Sequence, residues 1–456
     1  MATKTSRLAS GPVGQHLTNM TGPVLFGIAM MMGQSLIDAW FIGQVGVAEL
    51  AAYGFSFPIL MIVSSVAIGL GAGTSSVVAR ALGSGDRRRA RRLSTDSLVL
   101  SFLATALIAF VGILTIEPLF QSLGAPDELM PLIRGFMTIL YFGVPFSVVG
   151  MVAMACMRAT GDTRLPGTLM VVASVLNVIL DPILIFGLGP IPAMGLNGAA
   201  VAALLARGAI FLVALYFLRV RLRLLSLSRP RRERMLRSWR DVLHVGLPAA
   251  GTNVIVPLGA VAVTAMLASY GPEAVAGFGV ANRIESMMLV VYYAMSSIIG
   301  PFVGQNLAAG KQDRILRSLW LCSLFCIGSG LGIALLLAAS SGFLPGLFSD
   351  DPRVTEVTES FLWIVPVSYG AYGMVMVMNA AFNGLGKPMP GVVISVLRIL
   401  VLYLPVALLA MRFFDVVGIF AAYALANVLT GIFAYLWARS TVKRLFAAQG
   451  LTAPAG

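Results

Sequence analysis

The chain has 456 residues, of which 58% are hydrophobic and only 11% are charged, and its formal net charge is +13. An average soluble protein has roughly 25% charged residues, so this composition excludes an ordinary soluble enzyme and indicates an integral membrane protein. The location of the basic residues, described below, also argues against nucleic acid as a partner.

Apolar stretches long enough to cross a bilayer follow one another along the chain, and a spanning helix needs about 20 such residues. In the first half we predict spans at residues 13–44, 47–80, 93–116, 131–157, 165–188 and 193–218. In the second half we predict spans at residues 241–270, 273–306, 318–340, 355–383, 389–411 and 416–438. The predicted fold class is therefore all-α and integral to the membrane, with twelve transmembrane helices.

The loops between these spans alternate in charge. If both termini are cytoplasmic, the inner segments hold most of the 32 basic residues, including the runs in 87–92 and 219–240. The outer loops instead hold acids such as Glu117 and Asp350. This positive-inside pattern predicts a multi-pass protein of the cell's inner membrane with both termini in the cytoplasm.

The two halves are related by a shift of about 224 residues. The matched positions are Pro23 with Pro248, Gly85 with Gly310, Gly167 with Gly391, and Gly195 with Gly418. Because each half has an even number of spans, both enter the membrane from the same side, as in transporters built from parallel repeats. We predict an N-lobe at 13–218, a cytoplasmic basic linker at 219–240 and a C-lobe at 241–440.

Two acids lie deep in spans of the first half. A carboxylate at membrane depth is costly and is a functional hypothesis by default. Asp181 follows Asn177 by four residues and Asp38 follows Gln34 by four, so each acid shares a helix face with an amide. We predict a proton- or cation-coupling pocket of Asp38, Asn177 and Asp181, and the alternative is that the acids only tie helices together.

Further residues are assigned to support this pocket or to form a second polar site. We expect Gln34 and Tyr141 to support the pocket, and Pro23 to bend the first helix. In the second half Glu285 is a buried acid that Arg283 or Arg398 could neutralise. Whether this C-lobe polar site couples transport or forms an ion pair that fixes helix packing is left open.

The sequence contains no nucleotide-binding glycine loop, which argues against ATP as the energy source. Its three cysteines, Cys156, Cys322 and Cys326, lie in apolar helices and do not form a metal-ligand pattern. We therefore expect no cofactor and no metal, and a proton gradient as the driving force, with sodium as the alternative.

In several short motifs the chain resembles the multidrug and toxic compound extrusion (MATE) family, and within it the DinF-like branch. The likeness rests on residues 38–43 (DAWFIG), 69–73 (GLGAG), 83–86 (GSGD), 161–164 (GDTR), 177–182 (NVILDP), 277–283 (GFGVANR) and 304–310 (GQNLAAG). It implies a V-shaped pair of six-helix lobes that exports amphipathic, often cationic, compounds by alternating access. Asp38, Asn177 and Asp181 match the family's cation pocket, and Pro23 matches the proline at which its first helix bends.

Two departures from the family pattern bear on the coupling ion. The pocket often includes a Thr of the sixth helix, but residues 198–206 contain none, which argues against a dedicated sodium site. The NorM-like branch has an acid in its seventh helix, but residues 246–270 have none. The resemblance therefore favours coupling by protons through the first lobe.

The predicted protein is a monomeric antiporter that exchanges small drug-like molecules for protons across the lipid bilayer. The alternative of the same class is a flippase for lipid-linked sugars or lipids. An alternative of another class is a membrane-embedded lipid-modifying enzyme, but no span combines a nucleophile with a nearby His. A channel or receptor is disfavoured by the two-lobe repeat.

Overall fold

The computed structural model describes residues 7–226 and 232–448. Within these ranges the backbone is almost entirely helical, as lipid requires of a chain that cannot leave peptide groups unpaired. The α-helices are α1 Val13–Val45, α2 Val47–Gly83, α3 Arg87–Leu114, α4 Ile116–Ser122, α5 Met130–Ala159, α6 Arg164–Ile185, α7 Gly195–Val220, α8 Arg232–Leu267, α9 Pro272–Met288, α10 Val290–Ala308, α11 Gln312–Ser340, α12 Pro352–Ile364, α13 Tyr369–Leu385, α14 Met389–Val396 and α15 Leu404–Ala448.

The described helices account for the twelve predicted spans. Ten stretches are long and apolar enough to cross a membrane, and the pair α9 and α10, bent by 45° at Leu289, supplies an eleventh. One of the ten, Met389–Ala448, has 60 residues and is interrupted at Phe414 and Asp415, where the φ of Asp415 is 49°. It therefore holds two spans, and the total is twelve.

The sequence does not locate the breaks within the helices. The break at Leu289 divides the predicted span 273–306, and a 3₁₀ turn at Pro366–Ser368 divides 355–383. A seven-residue π-helix, Leu397–Tyr403, lies within the predicted span 389–411. Helix α3 also begins earlier than the predicted span, at Arg87 instead of residue 93. Asp86 caps this start by accepting a hydrogen bond from the backbone of Arg89 at 2.8 Å.

Several hydroxyl side chains inside the spans donate hydrogen bonds to their own helix. In α3, Ser97 donates to the carbonyl of Leu93 at 2.6 Å, and Ser101 donates to the carbonyl of Ser97 at 2.8 Å. This pattern allows hydroxyl groups in an apolar helix without an unpaired donor. The polar residues that carry more information are those that reach across to another helix.

Glycines set the closest helix contacts. In α2, a methyl group on Gly69 or Gly73 would overlap the backbone of Gly246 or Val242 in α8. In a membrane, where there is no hydrophobic drive between helices, such close backbone approach supplies much of the packing.

The described contacts divide the chain into two compact units. One is Gly22–Ala250, called here the N-terminal unit, and the other, the C-terminal unit, joins the residues before Gly22 to those after Ala250. Both boundaries fall inside helices, next to Pro23 in α1 and close to Pro248 in α8. The division into lobes at 13–218 and 241–440 remains a prediction, and residues 227–231 of the predicted linker lie outside the described ranges.

The segment before α1 is tied to the C-terminal unit. Leu8 is buried, and its carbonyl accepts hydrogen bonds from Asn306 at 3.2 Å and from Arg314 at 2.9 Å. Arg314 also donates to the carbonyls of Ser10 at 3.2 Å and Gly11 at 2.5 Å. The start of α1 is therefore fixed by one unit, whereas the part that carries Asp38 belongs to the other.

Candidate functional site

The predicted coupling residues of the first half come together in the N-terminal unit. On α6, Asn177 donates through Nδ2 to Oδ1 of Asp181 at 3.0 Å. On α1, Gln34 donates through Nε2 to Oδ2 of Asp38 at 3.3 Å and also to Oδ1 of Asn177. We call Gln34, Asp38, Asn177 and Asp181 the acid pocket.

The approach of α1 to α6 makes this network possible. A Cβ on Gly27 would lie 3.0 Å from Cβ of Met170, and one on Gly167 would overlap the carbonyl of Pro23. The absence of side chains at these two glycines lets the helices pack closely, about three to four turns from the acids. In this structure α1 is helical through Pro23 from Val13 to Val45, and the predicted bend at that residue remains a prediction.

The two acids differ in how deeply they are buried, but each has one oxygen atom without a hydrogen-bond donor among the described residues. Asp181 and Asn177 are buried, at 1% and 2% exposure, whereas Asp38 is half-buried. The carboxyl groups of Asp38 and Asp181 lie within hydrogen-bonding reach of each other. No donor among the described residues reaches Oδ1 of Asp38 or Oδ2 of Asp181.

One proton shared by the two neighbouring carboxyl groups would supply the donor that they lack. Two ionised carboxylates side by side repel each other strongly, and a pair of this kind takes up and releases protons as a unit. Asp38, which is half-buried, is the more accessible of the two acids. The acid pocket is therefore suited chemically to binding a proton reversibly.

Two side chains near the acid pocket were not predicted from the sequence. Tyr53 of α2 interacts electrostatically with Asp38, Asp181 and Arg207, and Arg207 of α7 interacts with Asp38 and Tyr53. Arg207 is the one basic residue in the predicted span 193–218, so a signal for it was present. Tyr53 lies in a helix with several aromatic residues and has no comparable signal.

Tyr141, predicted to support the pocket, lies elsewhere in the N-terminal unit. It is buried, and its ring covers Gly112 of α3, where a methyl group would overlap the ring. Within the described residues no contact that we identify joins it to the acids, so its supporting role remains a prediction.

The predicted polar site of the C-lobe lies within the C-terminal unit, but without a direct ion pair. Glu285 is buried, and Tyr423 donates to its Oε1 at 3.2 Å. Arg398 is buried, donates to Oδ1 of Asn427 at 3.0 Å and lies 4.3 Å from the centre of the Tyr372 ring.

Three features define this second site further. Among the described residues no ion pair within 4.0 Å joins Glu285 to Arg398 or to Arg283. Arg283 is exposed, whereas Arg398 lies on the π-helix, a form often found at functional positions. The site therefore holds two hydrogen-bonded pairs, Tyr423 with Glu285 and Arg398 with Asn427, which we call the Glu285 cluster.

Known proteins similar to this chain are membrane transporters. The sequence matches the family MatE twice, over residues 23–183 and 248–409, in agreement with the internal repeat. It is 40% identical to a protein of Shewanella oneidensis named "FAD transporter", over 95% of this chain and 96% of that protein. It is 28% identical to "Probable multidrug resistance protein NorM" of Thermotoga maritima, over 97% of this chain and 91% of that protein.

Solved structures agree with these sequence relatives. The Vibrio cholerae MATE transporter VcmN in the bent form superposes with a TM-score of 0.91 at 33% identity, covering 95% of this chain and 98% of that one. Both the sequence match and the twelve-helix architecture therefore point to one assignment. This chain belongs to the multidrug and toxic compound extrusion (MATE) family, and it is a membrane transporter and not an enzyme.

Proposed function

We propose that this protein is a secondary antiporter of the DinF-like branch, which exports amphipathic organic compounds, cationic ones among them, in exchange for protons. We further propose that it acts as a monomer in the inner membrane, with both termini in the cytoplasm. The observation that carries the coupling is the pair of facing carboxyl groups, each with one oxygen that no described donor reaches. A proton is the simplest species that fills this gap.

The coupling ion follows from the ligands available. Oδ1 of Asn177 already accepts a hydrogen bond from Gln34, and each acid has one oxygen engaged by an amide. That leaves two free carboxylate oxygens, whereas a hard metal cation is usually surrounded by about six oxygen ligands. The acid pocket fits a shared proton better than sodium.

The same contacts suggest how proton uptake changes the protein. Gln34 bridges α1 to α6 through Asn177, so the protonation state of the acids controls the hydrogen bonds that hold α1. In the proposed cycle, protons from outside neutralise the acids, α1 repacks and the exported compound leaves. Release of protons to the cytoplasm then resets the acid pocket for the next molecule.

The test uses inverted membrane vesicles in which the interior is made acidic. Wild-type protein should accumulate a cationic dye under the pH gradient, with no change when sodium is replaced by an inert cation. Asp38→Asn should lose this activity, because an amide cannot release a proton. Glu117→Gln is the matched control, since Glu117 is an exposed carboxylate paired with Arg134 at 2.9 Å, far along the sequence from either acid. Full activity in Asp38→Asn would refute the proposal.

A second candidate for the exported compound is a flavin nucleotide. It is favoured by the 40% identity to the Shewanella oneidensis protein named "FAD transporter", which extends over nearly the full length of both chains. Vesicles carrying this protein would be given FAD and the cationic dye, separately and together. Saturable uptake of FAD that competes with the dye would support a common path, and absence of FAD uptake would restrict the protein to drug-like compounds.

A further inference from the structure

Arg207 occupies an unusual position for a cation. It lies at the middle of α7, about 18 Å from either end at 1.5 Å per residue, and the residue is exposed. A charged group at the centre of a bilayer costs about 3 kcal/mol, and such residues as a rule face a protein interior or a water-filled cavity. A cation kept at this depth therefore calls for a physical explanation.

Helix packing places Arg207 at the depth of the acid pocket. A methyl group on Gly198 of α7 would overlap the carbonyl of Leu184 in α6, so these residues mark the same level of two adjacent, antiparallel helices. Arg207 lies nine residues beyond Gly198, and Asn177 lies seven residues before Leu184. At 1.5 Å per residue the two differ by only about 3 Å in depth.

The electrostatic neighbours of Arg207 agree with this register. Its charge interacts with Asp38 and with the phenol of Tyr53. Its guanidinium forms no hydrogen bond or ion pair within 4.0 Å that we identify in residues 7–226 and 232–448. Arg207 is therefore close to Asp38 but is not paired with it in this structure.

The charged and titratable groups that face the acids come from four helices. They are Asp38 of α1, Tyr53 of α2, Asp181 of α6 and Arg207 of α7. A neutral phenol can donate a hydrogen bond but cannot balance a charge. Among the groups that the structure places here, Arg207 is the cation available to balance an ionised acid.

We propose that Arg207 is the internal counter-ion of the acid pocket, and that its guanidinium pairs with Asp38 when the shared proton has left. This inference rests on the proposed proton coupling. The proton leaves the carboxyl pair for water on the cytoplasmic side, and no other bond forms or breaks. The Asp38 carboxyl group is therefore neutralised by the shared proton in one state and paired with the guanidinium in the other.

Charge balance shows what this achieves. With one proton on the two acids, the acid pocket and Arg207 together are neutral, and loss of that proton leaves one negative charge. One organic cation compensates that charge, so one proton exchanges for one monovalent cation without stranding extra charge in the membrane. Without Arg207 the empty pocket would carry two negative charges, and proton release would be harder.

The test measures how transport depends on the pH of the cytoplasmic face. In inverted vesicles with a fixed acidic interior, dye uptake is recorded as the external pH is raised. Because a nearby cation favours ionised carboxylates, Arg207→Gln and Arg207→Met should need an external pH about one unit higher for half-maximal uptake, a tenfold change in proton concentration. Arg207→Lys, which keeps the charge, should restore most of the wild-type profile. Arg219→Gln, at the end of the same helix, is the control and should follow wild type.

The outcomes separate this inference from the proposed function. If Asp38→Asn abolishes uptake but the neutral Arg207 variants keep the wild-type pH profile, the counter-ion role is overturned and proton coupling stands. If Arg207→Lys behaves like Arg207→Gln, the charge is not what matters, and the inference fails as well. Should both neutral variants be recovered unfolded, adding Asp38→Asn should restore folded protein by removing the unpaired acid. Failure of that rescue would also overturn the proposal.

Discussion

Combining Asp38→Asn with Asp181→Asn tests whether the two acids act as one proton site. In the structure each carboxyl keeps one amide donor, Gln34 at 3.3 Å for Asp38 and Asn177 at 3.0 Å for Asp181. The two carboxyl groups lie within hydrogen-bonding reach of each other, so either single substitution already destroys the shared site. The double substitution then has little left to remove.

The size of this effect can be estimated from the bond that is lost. A hydrogen bond that involves a charged group contributes about 1.5–3 kcal/mol, which corresponds to roughly a 10- to 150-fold change in an equilibrium constant. If the acids acted independently, the losses of the two single variants would multiply in the double variant. For a shared proton we expect the double variant to keep a transport rate about tenfold or more above the rate that multiplied losses would give.

The assay is the initial rate of dye uptake into inverted vesicles under one fixed pH gradient, normalised to the amount of folded transporter. Wild type, both single variants, the double variant and Glu117→Gln are compared. Losses that multiply would show that each carboxyl carries its own proton. That result would refute the shared site, even if both residues proved essential.

Two further predictions concern packing and the second polar site. Gly198→Ala should destabilise the protein by about 1–3 kcal/mol, because the added methyl group overlaps the backbone of α6. Gly208→Ala on the same helix is the control, since a methyl group there meets nothing within 4 Å. Thermal unfolding midpoints in detergent measure the difference, and equal midpoints for the two variants would contradict the prediction. Tyr423→Phe should lower the free energy of unfolding by about 1–3 kcal/mol, because it leaves buried Glu285 without its hydrogen-bond donor. Tyr435→Phe on the same helix should leave the stability unchanged. The two variants are unfolded in parallel, and equal stability would show that Glu285 does not depend on this bond.

The helices were predictable because lipid leaves little choice. A span must be about 20 apolar residues of continuous helix, so residues 13–44 correspond closely to Val13–Val45. The breaks were harder, since they depend on packing and not on composition. The π-helix at Leu397–Tyr403 carries Arg398, which reaches Asn427 on another helix, and no local pattern reports that contact.

The acid pocket was predictable in part. A four-residue spacing places Asn177 beside Asp181, and Gln34 beside Asp38, on single helix faces, and in the structure each amide donates a hydrogen bond to its acid. Periodicity alone does not say that α1 lies against α6, which depends on small residues such as Gly167. The placement of Arg207 within electrostatic range of Asp38 depends on the register of α7 against α6, which the sequence does not contain.

The repeat preserves the backbone but not the polar chemistry. By the shift of 225 that relates Pro23 to Pro248, Asp38 corresponds to Val263, which is buried. By the shift of 224 that relates Gly167 to Gly391, Arg398 corresponds to Ser174. Small residues at helix contacts are constrained in both halves, because each must allow the same close approach. A buried charge is under no such constraint, and it is retained only where its function offsets the free energy of placing a charge in the membrane. The two halves can therefore share an architecture while one carries the acid pocket and the other the Glu285 cluster, and the two polar sites can have different roles in the transport cycle.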